Sequence, residues 1–444
     1  MGDDTLFADL YELTMMQGYF LKDHNPEAVF DLYFRSLPEN RGYLVAAGLE
    51  QVIEYIEDLS FSDEDLDYLE EQGFHEEFLE YLEDFEFTGD IRAVPEGNLV
   101  FPDEPIIEVR APLIQAQLLE TFLINQVSFQ TLVATKAART KDIIRRLGSG
   151  QSLIDFGSRR AHGTDAGMKA ARAAYIGGFQ GTSNVKAAKK FGIPAYGTMA
   201  HSWVQSFEDE REAFEEYLDI YGESSILLVD TYDTLQGSEI AREVCDQKDL
   251  DIRGVRLDSG DLVELSKKVD EKYGFNIFVS SGLDEYRIMR FLRDGGVARG
   301  FGVGTRLVTS SDTPDSDCVY KLVEIETNGS LRPETKLSKG KTTLPGIKTV
   351  RRITENGEFK KDILDLRGHS EEGKELLVDI YEDGELVYEI PDLDVVRERC
   401  ANSVEKMPIG SRMVIDPDEY SVEIGEELED TFHSVKRRIK RRNY

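Results

Sequence analysis

Three short stretches of the chain carry side chains able to do chemistry together. Asp155-Phe-Gly-Ser-Arg-Arg-Ala-His162 sets an aromatic ring, Phe156, three and four residues before two arginines, Arg159 and Arg160. Gly181-Thr-Ser-Asn184 offers the hydroxyls of Thr182 and Ser183, and Gly197-Thr-Met-Ala-His-Ser202 offers an imidazole, His201. Each stretch is an apolar run that ends in a Gly/Ser/Thr-rich turn, the pattern of a parallel strand whose carboxyl end bears a site. A ring, guanidinium groups and small hydroxyls fit a small, flat, anionic substrate. The imidazole can accept a proton or a phosphoryl group.

Further along, Asp230-Thr-Tyr-Asp233 and Arg256-Leu-Asp-Ser-Gly-Asp261 put acids at two more strand ends. Arg256 and Asp258 alternate along a strand and so share a face. Such carboxylates can hold Mg²⁺ or hydrogen-bond a ribose. They can equally cap the helices that follow, and for Asp261 capping is at least as good an account. Val279-Ser-Ser-Gly-Leu283 and Gly300-Phe-Gly-Val-Gly-Thr305 are small-residue turns at the last two strands. There Ser281, Gly282, Gly302, Gly304 and Thr305 are candidates for a phosphate cradle, because glycine lets backbone N–H groups approach an anion closely. Neither turn is a Walker loop or the dinucleotide fingerprint of a first βα turn.

These residues must be positioned by alternating strands and helices. From 153 to 308 the expected strands are 153–156, 178–181, 195–199, 226–230, 252–258, 276–280 and 301–304, with helices such as 163–176 and 235–247 between them. Seven strands in this alternation imply an incomplete or irregular parallel α/β barrel. Before it, the pattern predicts a helix over 4–21, a strand over 28–36, helices over 48–59, 62–72 and 76–85, and a small antiparallel sheet within 87–109. A long helical stretch then runs from Pro112 to Leu147. After Cys318 short strands return at 319–325, 348–353, 376–380 and 386–388, followed by a helix over 392–404. This segment is expected to rejoin the N-terminal sheet as one mixed α+β domain. The expected division is 1–115, 116–318 and 319–444. Lys336–Gly346 is a basic, Gly-rich loop, and Val435-Lys-Arg-Arg-Ile-Lys-Arg-Arg442 a basic helical tail expected to dock on the protein's own acidic surface.

The chain has 444 residues, 86 acids against 52 bases and a net charge of −34. That surface repels nucleic acid and anionic membrane, so neither is an expected partner. It fits a cytoplasm rich in salt, where charge is screened within a few ångströms. Cys245, Cys318 and Cys400 are too scattered for a disulfide framework or a CxxC metal site, and are read as reduced core residues. No metal ligand set of the chain's own is expected. No apolar run approaches the ~18 residues of a membrane span and no signal pattern opens the chain, so a cytoplasmic location is expected.

Taken in order, Asp9-Leu-Tyr-Glu-Leu-Thr14, Phe34-Arg35, the 155–162, 181–184 and 199–202 motifs, Asp230-Thr-Tyr-Asp233, Arg256 to Asp261 and Gly302-Val-Gly-Thr305 resemble nicotinate phosphoribosyltransferase over about residues 5 to 325. The resemblance implies a type II phosphoribosyltransferase fold. It implies transfer of phosphoribosyl from phosphoribosyl pyrophosphate to nicotinate, in NAD biosynthesis. ATP hydrolysis is coupled through a phosphohistidine at His201, with Mg²⁺ accompanying the phosphorylated substrates. It further implies a head-to-tail homodimer in which Tyr11 reaches the partner's site. Phe156 would stack on the pyridine ring and Arg159 bind its carboxylate, with Thr182 and Ser183 beside them. Asp230, Asp258 and Arg256 would serve the ribose and pyrophosphate. Related readings are a nicotinamide or quinolinate phosphoribosyltransferase, or a non-catalytic phosphate-sugar binding barrel. Ser183 argues against the nicotinamide enzyme, which has an acid at that place.

Overall fold

The computed structural model describes residues 4–338, 341–369 and 371–443. Residues 339 and 340 of the basic loop, and the side chain of Arg442 in the tail, lie outside the described residues. The chain forms two compact units, one of residues 1–132 with 315–444 and one of residues 133–314. The divisions thus fall at 132/133 and 314/315, where the pattern gave 115/116 and 318/319. The first offset has a plain cause: one uninterrupted helix, Glu120–Leu147, carries no Gly or Pro to end it and belongs to both units.

The first unit is built on a seven-stranded antiparallel sheet. Its central strand, Glu27–Phe34, pairs with Cys318–Thr327 on one side and Ile107–Pro112 on the other. Asp90–Ala93 then pairs with Val378–Glu382. The C-terminal segment therefore enters this sheet on both flanks through 318–327 and 378–382, while its 348–355 strand lies in another sheet. Leucine, phenylalanine and isoleucine from the sheet and from the helices Leu49–Glu57 and Glu76–Glu83 make the core. A capping box, in which Ser62 and Asp65 satisfy each other's backbone N–H, opens Asp63–Glu71. A second, four-stranded sheet holds Lys348–Glu355, Glu358–Leu366, Lys374–Glu375 and Ser421–Ile424. The basic tail is the end of the helix Glu426–Asn443. Its Arg438 pairs with Glu334 at 3.1 Å and donates to the Pro333 carbonyl, so an acidic neighbour does hold it.

The second unit is a parallel sheet whose strands are short and buried, as covered parallel strands are. In chain order they are β1 (Ser152–Asp155), β2 (Gly181–Thr182), β3 (Ile226–Leu228), β4 (Gly254–Leu257), β5 (Ile277–Val279) and β6 (Gly300–Val303). Their spatial order is β2-β1-β6-β5-β4-β3. Six strands are seen where seven were expected. Residues 178–180 precede β2 as a turn. The 195–199 segment makes only one bridge, Ala195 to Thr182. Pro194 has no N–H to give a ladder. After Tyr196 N–H bonds the Thr182 carbonyl at 2.9 Å, the chain leaves the sheet edge. The sheet is thus open, with β2 and β3 as its edge strands. All three cysteines are buried and free, as expected.

Among the described residues, no helix is long and apolar enough to cross a membrane.

Candidate active site

The carboxyl ends of β1, β2, β4, β5 and β6, with the 197–201 segment, converge on one cavity of about 590 Å³ in the second unit. At β1, Phe156 takes its place because its N–H bonds the Val303 carbonyl of β6 at 2.8 Å. Gly302 lies inside β6, paired with Ile154, and its missing side chain leaves the space that the Phe156 ring fills. A Cβ there would fall 2.3 Å from Phe156 Cδ2 and 2.5 Å from Cε2. The ring thus requires a glycine at 302, a residue that also lines the cavity with the phosphate-turn candidates. Ser158, Arg159 and Arg160 follow in a short 3₁₀ turn, both arginines exposed to the cavity.

Asp155 and Thr182 sit beneath this floor. Both are fully buried. Asp155 Oδ1 accepts from Gly157 N–H at 2.8 Å and its Oδ2 from Thr182 Oγ1 at 2.7 Å. Burial raises the Asp155 pKa, and these two bonds oppose the rise. Thr182 is therefore a positioning residue that ties β1 to β2, and not part of the cavity lining as the sequence suggested. Ser183, next to it, is exposed and lines the cavity. It is not the cap of the following helix: Asn184 caps Val185–Phe191, accepting from Ala187 N–H at 3.1 Å.

His201 does not follow a strand, contrary to expectation. It is the first residue of the helix His201–Gln205 and reaches the cavity from the extended segment that left the sheet. Its Nδ1 lies 3.2 Å from Thr231 Oγ1, which leaves Nε2 as the nitrogen for a ligand.

Arg256 and Asp258 both line the cavity, as their alternation implied. Arg256 donates to the Met199 carbonyl at 3.0 Å, and its guanidinium stands 5.9 Å from the Phe156 ring centroid. Burial lowers its pKa, while Asp258 and Asp230 favour the charged form. Asp258 Oδ1 accepts from Ser280 Oγ at 2.5 Å. Asp230 is buried and outside the lining. Its Oδ2 accepts from Asp258 N–H at 2.9 Å and Ser259 Oγ at 2.6 Å, so it aims the Asp258 turn. Its Oδ1 is buried without a hydrogen-bond partner. Asp233 and Asp261 are helix caps: they accept from Gln236 N–H at 2.9 Å and Glu264 N–H at 3.2 Å.

Ser281, Gly282, Gly304 and Thr305 also line the cavity. Ser281 and Gly282 both have positive φ, +90° and +58°, a conformation costly for the serine. Sequence reasoning missed Ser158, Ser280 and the backbone of 197–200 in the lining. The serine pair 280–281 and the glycine at 197 were the available signals. Tyr11 belongs to the other unit, on the helix Leu10–Leu21, and is 45% exposed. Burial, then Glu120, raises its pKa.

A parallel α/β sheet whose strand ends gather a stacking ring, arginines, a carboxylate and small-residue turns defines an enzyme of phosphorylated sugars. The chain matches three family models: the nicotinate phosphoribosyltransferase N-terminal domain over 6–128, the nicotinate phosphoribosyltransferase family over 151–364, and its C-terminal domain over 358–432. It is 44% identical over 421 residues to nicotinate phosphoribosyltransferase pncB2 of Mycobacterium tuberculosis, covering 93% of this chain and 89% of that one. It is 39% identical to nicotinate phosphoribosyltransferase of Bacillus subtilis, covering 98% and 96%. Human nicotinic acid phosphoribosyltransferase has a similar structure, with a TM-score of 0.84 at 27% identity over 96% of this chain and 99% of that one. A nicotinate-nucleotide pyrophosphorylase from Pyrococcus furiosus superposes with a TM-score of 0.73 at 26% identity, covering 91% and 97%. The chain belongs to the nicotinate phosphoribosyltransferase family.

Proposed function

We propose that this protein transfers the phosphoribosyl group of phosphoribosyl pyrophosphate to the ring nitrogen of nicotinate, giving nicotinate mononucleotide and pyrophosphate. One observation carries the reading: Phe156, Arg159, Ser183, Arg256, Asp258 and His201 line a single cavity with the turns at 281–282 and 304–305. Phe156 offers a face to the pyridine ring, and Arg159 a charge-assisted bond to its carboxylate. Bond breaking at the sugar develops positive charge on the ribose, which Asp258 stabilises, and negative charge on the departing pyrophosphate, which Arg256 meets. Ser281, Gly282, Gly304 and Thr305 take the 5′-phosphate. The pyridine nitrogen brings its own lone pair, so no general base is required.

Mg²⁺ accompanies this chemistry by neutralising the leaving group. The residues fit it. Among the described residues no group of three or more acids, histidines or cysteines could hold a metal. A Mg²⁺ that keeps its waters and the substrate's phosphates needs only one or two carboxylates. Asp258 faces the cavity, and Asp230 behind it keeps an unpartnered oxygen. ATP is the proposed second substrate, its γ-phosphoryl passing to His201 Nε2 with release of ADP, and water later taking the phosphoryl group to give phosphate. A homodimer that brings the exposed Tyr11 to the partner's ring pocket is part of the same proposal.

The test is product formation from nicotinate, nicotinamide and quinolinate in parallel, with and without ATP. Nicotinate mononucleotide from nicotinate alone, stimulated by ATP, is expected. His201→Ala should abolish the stimulation and leave slower transfer. Faster turnover of nicotinamide or quinolinate, or acid-labile phosphate retained on His201→Ala, would overturn the respective assignment.

A further inference from the structure

The first unit contains a second cavity, of about 460 Å³, that plays no part in the proposed reaction. One wall is the helix Leu393–Lys406 and the other is the four-stranded sheet together with Leu376 and Val378. The helix packs on the core through Val396, Cys400 and Val404, which are buried. Its next stripe, at the same helical spacing, is Val395, Glu398, Arg399, Asn402 and Lys406, and this stripe lines the cavity. Val395, Glu398, Asn402 and Lys406 are exposed and Arg399 half-buried, so this stripe borders the cavity from its solvent side and takes no part in core packing.

The charge of the cavity runs against that of the whole protein. In a chain of 86 acids and 52 bases its lining holds four cations, Arg352, Lys374, Arg399 and Lys406, and two acids, Glu375 and Glu398. Two of the six are already matched. Arg352 pairs with buried Asp362, and Glu375 with Arg92 and Arg351. Arg399 is aimed by a bond to the Glu96 carbonyl at 2.8 Å. Lys374 and Lys406 have no ion-pair partner among the described residues. Three cations and one acid thus remain around a cleft of ligand size, with Leu376, Val378 and Val395 as its apolar surface.

We infer that this cavity binds a nucleotide, its phosphate held by Lys374, Arg399 and Lys406, with Glu398 accepting a hydroxyl or amino proton and the apolar wall covering the base. Three cations around one cavity suit a phosphate. A lone carboxylate there would oppose a bare anion, but it suits a ligand that also presents donors. The site lies wholly in the unit that does not hold the catalytic cavity, so it is separate from the catalytic site.

The experiment is equilibrium dialysis of labelled AMP against the whole protein, with hydrogen exchange of residues 393–406 as a second readout. Wild type should bind one more equivalent of AMP than Lys374→Glu/Lys406→Glu, and AMP should slow exchange along 393–406 in wild type alone. The double variant should keep its melting temperature and its turnover without AMP. Asn402→Leu, which fills the same wall without changing charge, should weaken this equivalent at least tenfold. Arg256→Ala should leave it intact, which separates this site from the catalytic cavity. Equal AMP binding by wild type and the double variant would overturn the site. Displacement of this equivalent by orthophosphate at the same affinity as AMP would overturn the nucleotide assignment in favour of free phosphate.

Discussion

Replacing Gly302 by alanine tests whether the Phe156 ring, and not a phosphate, is what this glycine serves. The new Cβ would sit 2.3 and 2.5 Å from two ring carbons. Carbon atoms rest at about 3.5–4.0 Å, so the ring must retreat by more than ~1 Å. Its backbone cannot follow, because Phe156 N–H is held by the Val303 carbonyl at 2.8 Å. The ring must therefore swing about its side-chain torsions, away from the face it offers to substrate. A displacement of ~1 Å in a positioning group can lower the rate about 100-fold, or ~2.7 kcal/mol in the barrier. Overpacking of this kind also costs about 1–3 kcal/mol of stability. Gly302→Ala should then lower kcat/KM for nicotinate by about 30- to 100-fold, while KM for phosphoribosyl pyrophosphate changes less than about threefold. A double-mutant cycle sharpens the case. Phe156→Leu removes the clashing ring edge, so in the Gly302→Ala background it should cost less than in wild type. Steady-state kinetics on the four proteins, with melting temperatures to confirm folding, decide it. Additive losses, or a rise confined to KM for phosphoribosyl pyrophosphate, would return Gly302 to the phosphate turn and refute the reasoning.

Ser183→Asp should weaken nicotinate use by on the order of 2–4 kcal/mol and raise nicotinamide relative to nicotinate, read as kcat/KM for both; because Asn184 is the cap, a silent swap can only mean that Ser183 does not touch the substrate. Glu210 is held near pH 7, about 7 against an ordinary 4.5, first by burial and then by Asp230 and Asp233. A carboxyl raised on folding gives stability that is full below about 4.5 and lost as pH rises through about 7, so Glu210→Gln should gain melting temperature over wild type across that window and no more above it; parallel melting curves from pH 5 to 8 would contradict this. With a net charge of −34, melting temperature and activity should rise from ~0.1 M towards molar KCl as the Debye length falls from ~10 to ~3 Å, and a flat response in dilute buffer would exclude self-repulsion as a large term.

The alternation of strands and helices was legible because parallel strands buried on both faces are plain apolar runs between Gly/Ser/Thr turns. Residues 226–228, 254–257 and 277–279 are such runs, and each was located to within a few positions. The 195–199 segment was not. Its composition is that of a strand, but pairing depends on what lies at the sheet edge, and after Pro194 the chain leaves that edge with one bridge made. The cavity residues Phe156, Arg256, Asp258 and His201 were legible because they are reactive types at turns. The packing of Gly302 against Phe156 was not legible, because a glycine needed for a neighbour's ring and one needed for a phosphate look alike in one dimension. The second cavity was not visible at all: its cations come from positions 352 to 406, and no local pattern joins them.

The acids show how one motif divides its work. Asp230 and Asp233 follow β3, and Asp258 and Asp261 follow β4, each pair three residues apart. In both, the second acid caps the next helix, where a side-chain oxygen satisfies N–H groups that the helix cannot. Capping fixes where each helix starts and so fixes the turn before it. The first acid of each pair is then held at the strand end, turned towards the site or towards its neighbour. Asp230 uses that position to bond the backbone of Asp258, and only Asp258 meets the cavity. Loss of a cap would therefore reach the chemistry through geometry, while loss of Asp258 would reach it through charge. A residue that merely supports and one that acts are separated by three positions in the chain, and by the direction of a single hydrogen bond in the fold.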